Sequence, residues 1–293
     1  MTDTAKNQLE LWAEEHHQDI LQLRYRIRRT LFSEESEFQR IDIVETAGYG
    51  RMLFNDSIAM ISERDEFIYH EMIAHPAMFV HPGVRRALVI GGGDGGTVRE
   101  LLRHPTVEHV RLVEIDPMVL RGCREHIPQT AAALDDPRVE VTVGDGVAFV
   151  AETEERYDLV IVDSTDPIGP ATPLFGKTFY ANVANVLNDD GIVVSQAESC
   201  FYELDRQRSM MEILSTTFGR ARIYNYVNLT YPGGLWSFTF ASRAALCPLG
   251  DLSPSRIADS GLEFRYYSPE IHRAAFVLPQ FQNDALQRWI GPD

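Results

Sequence analysis

The chain has 293 residues, 44% of them hydrophobic and 24% charged, with a formal net charge of −16 at pH 7. That is enough chain for one α/β domain plus a smaller partner, and the charge argues against general affinity for DNA, RNA or anionic membranes. Cys123, Cys200 and Cys247 stand far apart with no C-x-x-C pair, which argues against a disulfide framework and a structural zinc site.

The first residues carry no apolar signal region, and no apolar run approaches the roughly 18–20 residues of a membrane span. A cytoplasmic location without membrane contact is therefore expected. Residues 9–62 read as β. The run 23–32 begins with strict alternation, further strand candidates lie at 38–44 and 51–54, and Gly48-Tyr49-Gly50 and Asn55-Asp56 supply turns. This predicts a small antiparallel N-terminal domain over 1–64. Its basic run, Arg24, Arg26, Arg28 and Arg29, reads as a solvated strand face, because aromatic interleaving is sparse.

Residues 65–80 predict a helix, with Phe67, Ile68, Met72, Ile73 and Phe79 near helical spacing. From residue 86 strands and helices alternate. Strand-like runs at 87–90, 110–113, 139–143 and 159–162 are followed by predicted helices at 95–103, 117–126, 146–153 and 176–187. A strand at 191–196, a helix at 206–218 and strands at 221–227 and 236–241 complete the pattern. The fold class is therefore α/β. Repeated βα units imply a Rossmann-like, doubly wound, mostly parallel sheet over 65–293, its last two strands forming an antiparallel edge. The tail after Cys247 has weak periodicity and is expected to pack on this domain as a C-terminal extension.

Each of the four first runs ends in acid. Gly91-Gly92-Gly93-Asp94-Gly95-Gly96 follows the first, Glu114-Ile115-Asp116 the second, Gly144-Asp145-Gly146 the third, and Asp163-Ser164-Thr165-Asp166-Pro167 the fourth. Ligands of open parallel sheets bind outside the carboxyl ends of the strands, so this crevice favours a cation. Asp94 would repel a pyrophosphate, although a plain helix cap is its simpler reading. Glu114 stands 21 residues beyond Gly93, an offset that suits ribose hydroxyls. Asp145 either accepts from an adenine amino group or makes an ordinary Asp-Gly turn. Together these suggest adenosine bound without phosphate, as in S-adenosylmethionine compounds. Asp163 and Asp166, followed by Pro167, Gly169 and Pro170, place two acids in a stiffened loop, where they can hold an ammonium and take its proton.

At these residues the chain resembles the polyamine aminopropyltransferases, and among them most closely the spermidine synthases. Further blocks carry the resemblance: Ser36-Glu37-Phe38-Gln39-Arg40-Ile41, Glu66-Phe67-Ile68-Tyr69-His70-Glu71-Met72, Leu174-Phe175, Ser195-Gln196-Ala197-Glu198 and Thr230-Tyr231-Pro232-Gly233-Gly234. The resemblance implies transfer of an aminopropyl group from decarboxylated S-adenosylmethionine to a diamine, putrescine foremost, giving spermidine and methylthioadenosine. It implies Asp163 as general base and Gln39, His70, Asp94, Glu114 and Asp145 as donor contacts. It places Tyr69, Asp166, Gln196 and Tyr231 at the acceptor. Small cationic amines are the implied partners, in a homodimer or homotetramer, with no metal and no dissociable cofactor.

Ala197 stands where glycine is common in that family, and Ser199-Cys200-Phe201-Tyr202 also departs from it. The acceptor therefore stays open among putrescine, agmatine, cadaverine and spermidine. A methyltransferase using intact S-adenosylmethionine and a non-catalytic polyamine-binding protein are the competing readings.

Overall fold

In the computed structural model, which describes residues 10–166, 169–244 and 246–290, two sheets meet across one long helix. Pro167 and Ile168 of the acidic loop, residues 1–9 of the expected N-terminal domain, and the side chain of Pro170 lie outside the described residues. The first sheet is antiparallel, in the order β1 (Leu11–His17), β2 (Leu21–Glu35), β3 (Arg40–Thr46), β4 (Arg51–Asn55) and β5 (Ile58–Ser62). Strand β2 outruns the alternating stretch because each half has a partner: residues 21–27 pair with β1, and 27–35 with β3. Its arginines face outward, where Arg24 meets Glu14 at 3.0 Å, Arg26 meets Glu10 at 3.3 Å and Arg29 meets Glu45 at 2.8 Å. Such exposed pairs stabilise little. Asp56 and Ser57, at φ 48° and 68°, form the tight turn between β4 and β5, a conformation Asp and Ser tolerate better than bulky residues.

Helix α1 (Glu66–Val80) is buried along nearly its whole circumference and contains Pro76. Proline has no N–H for the carbonyl four residues back. That carbonyl, on Met72, is taken by the Tyr224 hydroxyl at 2.8 Å.

The second sheet comprises β6 (Arg86–Gly91), β7 (His109–Glu114), β8 (Val139–Val143), β9 (Tyr157–Asp163), β10 (Leu187–Gln196), β11 (Ala221–Val227) and β12 (Leu235–Ser242). Its order is β11-β12-β10-β9-β6-β7-β8. The β8–β7–β6–β9–β10 block is parallel, and β12 runs antiparallel to both β10 and β11. The connecting helices are α2 (Gly96–Leu102), α3 (Pro117–His126), α4 (Pro128–Ala131), α5 (Gly146–Glu152), α6 (Lys177–Val186) and α7 (Leu204–Phe218). Strand order reverses between β6 and β9, which opens a crevice at their carboxyl ends.

The tail adds α8 (Pro254–Asp259), α9 (Pro269–Ala275) and α10 (Gln280–Leu286) and packs on this sheet and on α1. Its anchor is polar. The buried Glu71 carboxylate accepts the backbone N–H groups of Arg265, Tyr266 and Tyr267 at 2.8–2.9 Å. Arg256 donates to the carbonyls of Met78, Phe79 and His81 at the end of α1. Among the described residues, no helix is long and apolar enough to cross a membrane.

Candidate active site

Gly91 of β6 is the register partner of Asp163 at the end of β9. The contact is so close that a Cβ on Gly91 would lie 2.1 Å from the Asp163 carbonyl, and Gly91 also sits at φ 81°. Only glycine fits there. The close approach sets the Asp163 carboxylate against the turn that leads into α2.

Asp163 is 9% exposed and both its oxygens are engaged. Tyr69 on α1 donates its hydroxyl to Oδ1 at 2.6 Å, and Thr97 on α2 donates to Oδ2 at 2.6 Å. Burial raises its pKa, and the nearby charge of Asp94 adds to the shift; His70, Thr97 and Tyr69 oppose it. The result is a carboxylate held in one orientation with heightened proton affinity.

Asp94 precedes Gly95, the N-cap of α2, and its Oδ1 accepts the Gly96 N–H at 2.9 Å. It also faces His70, whose Nε2 stands 3.2 Å from the same oxygen. On the other side, His70 Nδ1 meets Glu66 Oε2 at 2.6 Å, and Arg99 binds both oxygens of Glu66 at 2.9 Å. Burial disfavours charge on His70, but Asp94 and Glu66 outweigh it and raise its pKa to about 10. Burial likewise works against ionisation of Glu66, yet His70 and Arg99 draw its pKa down to about 2. An imidazolium therefore sits behind Asp94. A Cβ on Gly96 would lie 2.1 Å from its ring, so glycine is required there too.

Glu114 ends β7 and turns back on the Gly loop. Its Oε2 accepts the Gly93 N–H at 3.2 Å and its Oε1 the Asp116 N–H at 2.9 Å. Burial pushes its pKa up to about 7. Ser36 and Gln39, at the β2–β3 connection, both donate to Asp116 Oδ2, at 2.7 and 3.1 Å. Asp145 caps α5 through a 2.7 Å bond from the Val147 N–H and is exposed at the rim.

These residues surround a cavity of about 280 Å³. Its lining includes Gln39, Tyr69, Asp94, Glu114, Asp145, Asp163, Asp166 and Tyr231, with Asn55, Ile58 and Met60 of the first sheet as the opposite wall. An adjoining cavity of about 40 Å³ is lined by Glu15, His17, Asp166, Gln196, Tyr231 and Trp236, among others, and shares Tyr69 and Met60 with the first. No Lys or Arg lines either cavity among the described residues. His70 borders neither; it reaches the larger cavity only through Asp94. Tyr231 presents its ring, since its hydroxyl donates to the Met60 carbonyl at 2.7 Å.

Around the smaller cavity acids stand beside acids. Gln196 Nε2 lies 3.4 Å from Asp166 Oδ1 and 3.3 Å from Glu198 Oε1. Glu198, at φ 64°, is 2% exposed. Its pKa is raised by burial and by Asp166. Burial raises Asp166 as well, and it pushes Glu15 up to about 7.

Glu15, Glu66, Thr97, Arg99 and Glu198 were not among the residues expected from sequence. Glu15 had a detectable signal: on an edge strand paired with β2, alternation turns Glu14 outward and Glu15 inward. Three side chains come within metal-ligating distance twice among the described residues, as His70–Asp94–Asp163 and His81–Asp158–Asp190. His70 lies between two carboxylates as a cation, and His81 Nδ1 accepts the Gly83 N–H at 3.0 Å, which leaves the proton on Nε2.

Residues 66–251 match the spermine/spermidine synthase domain, and residues 11–63 match the spermidine synthase tetramerisation domain. A polyamine aminopropyltransferase of Bacillus mycoides is 44% identical over 279 residues, covering 95% of this chain and 100% of the relative. One from Methanocaldococcus jannaschii is 43% identical over 282 residues, covering 95% and 96%. The spermidine synthase of Thermotoga maritima superposes with a TM-score of 0.91 at 38% identity, covering 95% and 94%. A spermidine synthase bound to the transition-state analogue AdoDATO gives a TM-score of 0.92 at 38% identity, covering 95% of each chain. The chain belongs to the spermine/spermidine synthase family, and it is an aminopropyl-transferring enzyme of polyamine biosynthesis.

Proposed function

Within that family, we propose that this enzyme transfers the aminopropyl group of decarboxylated S-adenosylmethionine to putrescine, giving spermidine and methylthioadenosine, with Asp163 as general base. The observation that carries the reading is the Asp163 carboxylate, buried, doubly hydrogen-bonded and open to a cavity edged with acids. An alkylammonium of pKa about 10.4 is free amine in only about one molecule in 10³ at pH 7, a cost of roughly 4 kcal/mol to the attacking form. Burial at Asp163 raises its affinity for that proton. The amine lone pair then forms the new C–N bond as the C–S bond breaks, and the electron pair goes to sulfur, leaving a neutral thioether.

Glu114 and Gln39 suit the ribose, Asp145 the adenine edge and Asp94 the donor ammonium. Tyr69, Asp166, Gln196 and Tyr231 suit the acceptor. No step calls for a metal or dissociable cofactor. The match over residues 11–63 supports assembly as a homo-oligomer, a homotetramer first, which light scattering on the purified protein tests.

Incubation with decarboxylated donor and putrescine tests the chemistry. Methylthioadenosine and spermidine are expected. S-adenosylhomocysteine from intact S-adenosylmethionine would indicate methyl transfer instead, and the absence of any product would indicate a binding protein. A panel of putrescine, agmatine, cadaverine and spermidine, compared by kcat/KM, tests the acceptor.

A further inference from the structure

Among the described residues, two buried oxygens on the wall of the larger cavity have no partner, Ser164 Oγ in the acidic loop and Asn55 Oδ1 in the first sheet. Asn55 ends β4, opposite Ile41 of β3 and Ile58 of β5. Its side chain is 7% exposed and lines the larger cavity, and its Oδ1 meets no hydrogen-bond donor. Buried polar groups are almost always hydrogen-bonded, because leaving one unmade costs its full desolvation. Asparagine is also poor in strands. The adjoining turn does not need it, since Asp56 Oδ1 already accepts the Arg40 N–H at 2.8 Å. An apolar residue would serve the sheet better at this position, so the amide is explained by what enters the cavity.

Position decides which half of the ligand it meets. Asn55 borders the larger cavity and not the smaller one, which holds Glu15 and Gln196. Because the larger cavity also holds Tyr69, Asp166 and Tyr231, the neighbours of Asn55 in the sheet decide which half it faces. Its register partner Ile41 lies two residues beyond Gln39, which joins Asp116 and Glu114 in one hydrogen-bonded group. This group suits a ribose. A hydroxyl both donates and accepts, so it matches either orientation of an amide.

We propose that Asn55 is a nucleoside-contacting residue, its side-chain amide hydrogen-bonded to a ribose hydroxyl of the donor. The proposal rests on the donor reading given under Proposed function. The first sheet would then take part in ligand recognition as well as in assembly.

Asn55→Leu removes the polar group and suits a strand. Calorimetric titration with methylthioadenosine and with its 2′-deoxy and 3′-deoxy analogues reads the contact. Wild type is expected to bind methylthioadenosine and to bind one deoxy analogue more weakly. The variant is expected to bind methylthioadenosine about 3- to 10-fold more weakly, the range of one net hydrogen bond, and to lose that discrimination. Its KM for putrescine stays within about twofold, and the free variant melts no lower than wild type, because an unsatisfied buried oxygen has been removed. A purely structural asparagine gives the reverse: a lower melting temperature with nucleoside affinity intact.

Equal methylthioadenosine affinity in wild type and variant overturns the proposal, as does an unchanged penalty for both deoxy analogues. Failure of wild type to bind methylthioadenosine overturns the donor reading itself, which keeps the two failures apart. If leucine proves too bulky to fold, Asn55→Ala carries the same binding expectations.

Discussion

The two acidic regions of the site are built on opposite plans. Around Asp94 and Asp163 the protein brings its own cations. His70 stands against Asp94 at 3.2 Å and Arg99 clasps Glu66, so Glu66 falls to about 2 while His70 rises to about 10. Around Glu15, Asp166 and Glu198 no cation is paired in this way among the described residues; His17 and Arg206 oppose the rise only through space, and burial raises all three carboxyls. In the first region the Glu66, His70 and Asp94 side chains are already paired with one another, although Asp163 beside them is raised by burial and by Asp94. The second keeps carboxyls of raised proton affinity with no paired cation, a setting that suits the proposed amine acceptor. Preorganisation suits the place proposed for the chemistry, and an unfilled cation requirement suits the place proposed for the acceptor.

The largest expected effect breaks the first region at its centre. Asp163→Asn keeps shape but removes the proton acceptor, and kcat should fall about 10²–10⁴-fold while methylthioadenosine affinity hardly changes. Single-turnover kinetics beside a binding titration separates the two. Near-normal kcat would remove Asp163 from the role of base.

Asp94 comes next. A donor with only an ammonium meets Asp94 favourably, whereas intact S-adenosylmethionine brings a carboxylate into repulsion with it. Wild type should prefer the decarboxylated donor by at least about 10²-fold in kcat/KM, and Asp94→Asn should lose activity and narrow that gap. Equal use of both donors by wild type contradicts the assignment.

A smaller effect is expected at Thr97. Thr97→Val deletes the bond to Asp163 Oδ2, which favours the ionised carboxylate, so the Asp163 pKa rises further. The base works ionised. The acid limb of the kcat/KM profile should therefore move to higher pH, with about a tenfold loss below neutrality. An unmoved limb would disconnect Thr97 from the base.

The smallest test concerns the cation-poor region. Burial pushes the Glu15 carboxyl up from its ordinary 4.5 to about 7 in the folded protein. In the free protein its ionisation costs stability as pH climbs from 4.5 through about 7, because the folded state holds the proton more tightly. A bound ammonium reverses the preference. The KM for putrescine should fall as pH rises through this window, and Glu15→Gln should raise KM a few-fold and flatten the trend. A pH-independent KM in wild type would put the acceptor elsewhere.

Sequence and structure agree best where information is local. The parallel strands are short apolar runs, and the acids at their ends are neighbours in the chain, so Asp94, Glu114, Asp145 and Asp163 could be placed at one crevice before any coordinates. What supports them could not. Thr97 reaches Asp163 across 66 residues and Arg99 reaches Glu66 across 33, contacts that depend on how α2 packs against β9 and against α1. Whether His70 touches a ligand or stands behind Asp94 turns on the same packing. The tail was opaque for another reason. Its chief anchor is a carboxylate holding three backbone N–H groups, and backbone donors leave no trace in a hydrophobic pattern.

Asp65 closes the site in a way that bears on how the protein acquires activity. Its carboxylate accepts the N–H groups of Leu229 and Thr230 and the Thr230 hydroxyl, bonds that span about 165 residues. The segment that carries Tyr231 is thereby fastened beside the first sheet. Contacts so distant in sequence close slowly, since a long loop must be ordered before they form. Strands and helices should therefore return early when the denatured chain is diluted into buffer, with catalytic competence lagging behind. Stopped-flow far-ultraviolet dichroism run beside an activity recovery assay would expose the delay, and Asp65→Asn should lengthen it.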